Sequence, residues 1–148
     1  METLQNLFQN YITYAAKLRE ETASVKSVLG MRDREIYDAG HQSFDNAVEN
    51  WVKDFAENNP AQEELWKALE LLLFAAVGQE GKAAYWYLAA VQRHGSVLIP
   101  MLDEDNRGRL AAAFAEQYPV RQQLPMQKEL YQLLMKNQKQ KKRFSLFR

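Results

Sequence analysis

Apolar and near-apolar residues near the start of this chain fall at Leu4, Phe8, Tyr11, Ala15, Leu18, Thr22, Val25 and Leu29, alternately four and three apart. That spacing returns to one side of a helix at every turn and scatters over both faces of a strand, so it specifies an amphipathic helix. Similar periods govern most of the remaining chain, and no stretch alternates apolar and polar residues with β-branched enrichment. The sequence therefore predicts an all-α fold, a compact bundle of about six helices with no sheet. A chain of 148 residues suits a single domain. It buries roughly 68–70% of the surface its unfolded form exposes and so holds a core without staples.

Punctuation places the helices. Gly30 is the expected stop of the first. A second is expected from Asp33, with Ile36, Tyr37, Gly40, Phe44, Ala47, Val48, Trp51, Val52 and Phe55 on one face, ending at Asn58-Asn59-Pro60 because the residue before a proline is pushed out of the α region. Past Pro60 the segment AQEELWKALELLLFAAVG opens on acids and becomes apolar nearly all round. Lys82 to His94 reads the same way, with Tyr85, Trp86 and Tyr87 as core-packing rings. These two are expected at the centre, covered by amphipathic helices, with Gly95 closing the pair and Ser96 to Leu102 as an apolar connector. Asp103-Glu104-Asp105 opens the next helix, with Leu110, Ala111 and Phe114 inward, and Pro119 ends it. A last helix begins near Pro125 or Met126 and packs Leu130, Tyr131, Leu133 and Leu134. The bundle domain is thus expected over residues 1–135, followed by a tail over 136–148.

Absent cysteine excludes thiol catalysis, Cys-ligated zinc, iron–sulfur clusters and disulfides. Among the remaining chemistry, Asp38, His41 and Asp45 are three and four apart and share a face of the second helix, which Glu49 extends by a turn. Glu35 with Asp38 forms a Glu-x-x-Asp pair that resembles half of the Mg²⁺ cage of all-helical nucleotide pyrophosphohydrolases. The Glu-x-x-Glu pair of that family has no counterpart after Glu20 or Glu21. One reading is therefore a divalent-metal-dependent hydrolase using Glu35, Asp38, His41 and Asp45, with His41 as general acid or base. The simpler reading of the same row is a solvated polar face. Gly81-Lys82 lacks the upstream glycine and following hydroxyl of a phosphate loop, and Asp103-x-Asp105 lacks the later glutamate of a calcium loop. No cofactor is expected.

Charge is distributed unevenly. The 19 basic and 19 acidic residues cancel, yet six of the bases and none of the acids fall within KNQKQKKRFSLFR, residues 136–148, leaving a formal −6 on the body and +6 on the tail. Residues 31–57 carry seven acids against Arg32, Arg34 and Lys53, which makes the second helix an electrostatic counterpart to the tail. Lys139, Lys141, Lys142 and Arg143 suit phosphates or an anionic membrane surface. Phe144, Leu146 and Phe147 suit insertion into an apolar groove. Arg143-Phe144-Ser145-Leu146-Phe147 resembles the Gln-Leu-Ser-Leu-Phe pentapeptide by which bacterial proteins dock on the replication sliding clamp, with Arg143 in the place of glutamine.

Together these features predict a non-enzymatic protein-binding or adaptor domain acting through the acidic second helix and the basic-aromatic tail. The expected partner is another protein, with a homo-oligomer formed by pairing of those two surfaces and nucleic-acid or membrane contact by the tail as variants. METLQNLFQNY lacks the profile of a secretory signal, and the longest apolar runs fall well short of the ~20 residues of a membrane span. A soluble cytoplasmic protein is the expectation.

Overall fold

The computed structural model describes residues 2–24, 30–78 and 85–136, and every regular element among them is helical. Helix α1 (Glu2–Ser24) buries the four described positions of its stripe, Leu4, Phe8, Tyr11 and Ala15. It packs along α2 (Gly30–Glu57), which answers with Phe44, Val48 and Val52. Ring contacts join the pair: Phe44 stacks on Tyr11 with centroids 4.2 Å apart, and Phe8 meets Phe44 edge-on at 5.7 Å. Gly30 opens α2 instead of stopping α1. Glycine is tolerated at a helix start, and the expected opening residue, Asp33, then falls in the first turn, where an acid complements the helix dipole.

The end of α2 follows its sequence. Asn58 donates its backbone N–H to Phe55 O and its side-chain amide to Asp54 O at 2.8 Å. Asn59 takes the left-handed conformation (φ 49°), which asparagine tolerates better than most residues, and Pro60 bars continuation.

Helix α3 (Gln62–Leu73) is the central element and buries Leu65, Ala68, Leu69, Leu72 and Leu73. Glu64 reaches back to accept the Ala61 N–H at 3.3 Å, satisfying one donor of the first turn. The turn after α3 closes at Gly78, whose φ of 82° suits glycine.

Residues 85–101 form one helical path that changes pitch: α4 (Tyr85–Ala90), a 3₁₀ turn (Val91–His94), α5 (Gly95–Leu98) and a second 3₁₀ turn (Ile99–Met101). The expected break at Gly95 and the expected connector after it are therefore corrected. Gly95 is needed for closeness, because a Cβ there would stand 3.0 Å from Leu73 Cδ2 and 3.5 Å from Leu69 Cδ2. Leu88, Val91, Leu98 and Ile99 from this path are buried, so it and α3 supply much of the core, as the two apolar helices were expected to. The side chains of Tyr85, Trp86 and Tyr87 lie outside the described residues.

Helix α6 (Glu104–Gln117) starts where the acidic triplet placed it, with Asp103 as cap accepting the Asn106 N–H at 2.8 Å. Gln62 ties this start to α3, donating to Met101 O at 3.0 Å and accepting from the Asp103 N–H at 2.7 Å. Helix α7 (Pro125–Met135) packs on α6 and buries Leu130 and Leu134. No helix among the described residues is long and apolar enough to cross a membrane. The tail residues Lys139, Lys141, Lys142, Arg143, Phe144, Leu146 and Phe147 lie outside the described residues.

Candidate functional site

The inward row of α2 runs His41, Phe44, Val48, Val52, at intervals of three, four and four. His41 therefore belongs to the apolar face, and at 3% exposure it is not part of a solvated polar row. Its partner is Tyr11 of α1, whose hydroxyl lies against the imidazole Nδ1. Burial holds the His41 pKa down at about 4, so the ring is neutral at pH 7. A neutral imidazole keeps one bare nitrogen able to accept a hydrogen bond from the Tyr11 hydroxyl.

One turn further along α2, Asp45 turns to the path 85–101. Arg93 Nη2 donates to its Oδ2 at 2.5 Å, and His94 Nε2 approaches its Oδ1 at 2.9 Å. Burial alone would raise the Asp45 carboxyl, but the hydrogen bonds from His94 and Arg93, with the Arg93 charge, outweigh it and hold its pKa below the ordinary carboxylate value. An ionised carboxylate only accepts, so the proton between Asp45 and His94 sits on His94 Nε2. Asp45 thus clasps α2 to the 3₁₀ turn, and Arg93 also donates to Ala90 O at 3.2 Å. A cleft of about 330 Å³ opens beside the clasp, walled by Phe44, Ala90 and Val91 and edged by His41, Gln42, Asp45 and Arg93.

Of the residues proposed for a metal, His41 and Asp45 are placed against different partners, Tyr11 on one side and Arg93 with His94 on the other. The side chains of Glu35 and Asp38 lie outside the described residues. Among the described residues no group of three or more histidine and carboxylate side chains is arranged to hold a metal ion. Sequence reasoning missed Arg93 and His94, which stand 48 and 49 positions from Asp45, a separation no local motif spans. It also missed the burial of His41, although the intervals to Phe44, Val48 and Val52 carry that signal.

A second recess lies between α1 and α2. Leu7, Tyr11, Tyr14, Phe44 and Ala47 line it, with Asn10 and Ser43 as its polar members, and it encloses about 290 Å³. Tyr14 is 37% exposed there, among the most exposed large apolar side chains of the described residues.

The fold and these two recesses define an all-α bundle with a clasped polar junction and an aromatic groove. No family model, curated protein or solved structure matches the chain.

The junction carries a pH signature. Unfolded, His41 titrates near 6.5; folded, near 4. Between those values the unfolded chain binds a proton that the native chain does not, so the stabilising contribution is complete above pH 6.5 and is lost as pH falls towards 4. It amounts to about 1–2 kcal/mol after solvent screening beside the open cleft. Asp45 adds a lower window, present above its ordinary value of 3.8 and lost as pH drops through its depressed folded value. Thermal melts from pH 7 to pH 4.5 are expected to show a falling midpoint, and the paired variant Tyr11→Phe/His41→Leu to flatten that slope. An unchanged slope in the paired variant would refute the assignment to His41.

Proposed function

We propose that this chain is a protein-binding helical domain that engages its partner through the basic-aromatic C-terminus, residues 136–148, with the acidic second helix as a companion surface. The observation that carries the reading is the opposition of charge along the chain, −6 on the body and +6 on a tail tipped by Phe144, Leu146 and Phe147. Long-range attraction from the bases raises the rate of encounter with an acidic surface, and the three apolar side chains supply contact area once docked. Among the described residues, the two polar groups of the metal reading are occupied otherwise: His41 is buried against Tyr11, and the Asp45 carboxylate accepts from Arg93 and His94. Both arrangements fit a structural role at the junction of α1, α2 and the 3₁₀ turn.

The partner surface that fits is a hydrophobic groove with an acidic rim, and the resemblance of residues 143–147 to the clamp-docking pentapeptide makes the bacterial sliding clamp the first such surface to test. A fluorescently labelled peptide of residues 136–148 is titrated with purified clamp, and the intact chain is used as competitor beside a chain ending at Lys136. Displacement by the intact chain alone is the expected result. If the peptide fails to bind, the clamp is removed as the partner. Crosslinking with host proteins then compares the intact chain with Phe144→Ala/Leu146→Ala/Phe147→Ala, and identical captured sets from the two would overturn the tail as the contact surface.

A further inference from the structure

We infer that, in the free chain, the groove between α1 and α2 is occupied by the chain's own C-terminal segment, with Phe144 and Phe147 seated between Tyr14 and Ala47 and the lysines lying over the acidic second helix. The inference rests on the tail reading above only in taking Phe144 to Phe147 as a docking element.

Three observations converge on this occupant. The groove presents aromatic and apolar walls, Leu7, Tyr11, Tyr14, Phe44 and Ala47, with Asn10 and Ser43 as polar members of its lining. A partly exposed ring such as Tyr14 suits edge-on approach by further rings. Asn10 and Ser43 can satisfy backbone groups of an incoming segment that brings no secondary-structure partner of its own. Phe144 and Phe147 are three apart, so one helical turn places both on the same side.

Charge selects the same segment. One wall of the groove is α2, which across residues 31–57 carries seven acids and three bases, and the tail bears six bases and no acid. A docked tail cancels that opposition within one molecule, and the local concentration of a tethered segment exceeds that of a free competitor at ordinary protein concentrations. The tail is long as well. The described chain ends at Lys136, and the eight residues from there to Phe144 extend up to about 27 Å. That length covers most of one face of a globule whose radius of gyration is about 15 Å.

A tail held this way has two consequences. It shields Tyr14 and its neighbours from solvent and from other chains, and it makes partner binding a competition, since the rings that fill the partner's groove must first leave their own.

The absence of cysteine makes the test clean, because Ser145→Cys supplies a single attachment point for a nitroxide. In the full chain with methyl-labelled leucine and alanine, the signals of Leu7 and Ala47 are expected to be lost to paramagnetic broadening, and those of Leu98 and Leu130 retained. Reduction of the nitroxide restores the lost signals. The groove variant Ala47→Lys should keep its helical circular dichroism and its melting midpoint yet lose the broadening. Broadening that appears only when spin-labelled and isotope-labelled molecules are mixed would overturn the inference in favour of a second copy as occupant. Intact Leu7 and Ala47 signals in the labelled chain would overturn it outright. The measurement contains no partner, so it can fail while the peptide–clamp and crosslinking experiments succeed, and the reverse.

Discussion

Replacing Gln92 by leucine is expected to destabilise the bundle by about 2–6 kcal/mol, although the substitution is apolar and the site is fully buried. The Gln92 side-chain amide donates to Leu73 O at the end of α3, and its carbonyl accepts from Gln127 Nε2 at 3.2 Å. Leucine at 92 leaves both of those groups without this partner in a region closed to water, at about 1–3 kcal/mol each. The double variant Gln92→Leu/Gln127→Leu removes the orphaned amide as well. The Leu124 N–H that Gln127 had accepted belongs to an exposed residue and turns to solvent. The double variant should therefore lose less than the sum of the single losses. Urea denaturation of the four proteins gives the coupling directly, and additive losses would show that the two glutamines do not act as a unit.

Phe114→Ala is the second large effect, about 3–5 kcal/mol. Phe114 is wholly buried in α6 and meets Phe74 at 6.2 Å and Tyr118 at 5.1 Å between ring centroids. Its removal opens a cavity among residues of the turn after α3 and of α6, which the helices cannot close without sliding past one another. Phe55→Ala makes the comparison, since Phe55 is only partly buried and stacks on Trp51 at 4.7 Å along the same helix. Its loss should be clearly smaller, and equal losses at the two sites would mean that α6 is not locked to the core through Phe114.

These two sites also mark how far the sequence could be read. Phe114 was legible, because it falls on the inner row of a helix whose start is announced by three acids and whose end is announced by Pro119. The stripe of α1 and the end of α2 were legible for similar reasons of period and punctuation. Gln92 was concealed by its polarity, although Leu88, Val91, Gln92, Gly95, Leu98 and Ile99 keep helical intervals along the path 85–101. Gly95 misled in the other direction. A glycine after an apolar run reads as a stop, and only the approach of Leu73 and Leu69 explains why the path continues through it. The Asp45 clasp was hidden for a third reason: its strength lies in hydrogen bonds across 48 and 49 residues, and sequence spacing reports only neighbours within a few turns.

The clasp residues Arg93 and His94 are followed at once by the glycine that α3 presses against. Those three positions act as an index mark on the path. Inserting or deleting one residue between Leu88 and Arg93 would rotate everything beyond it by about 100–120°. Both donors would swing away from Asp45 together, and a side chain with a Cβ would arrive where only Gly95 fits. The seven-residue interval from Leu88 to Gly95 is therefore set by the clasp and the glycine contact together.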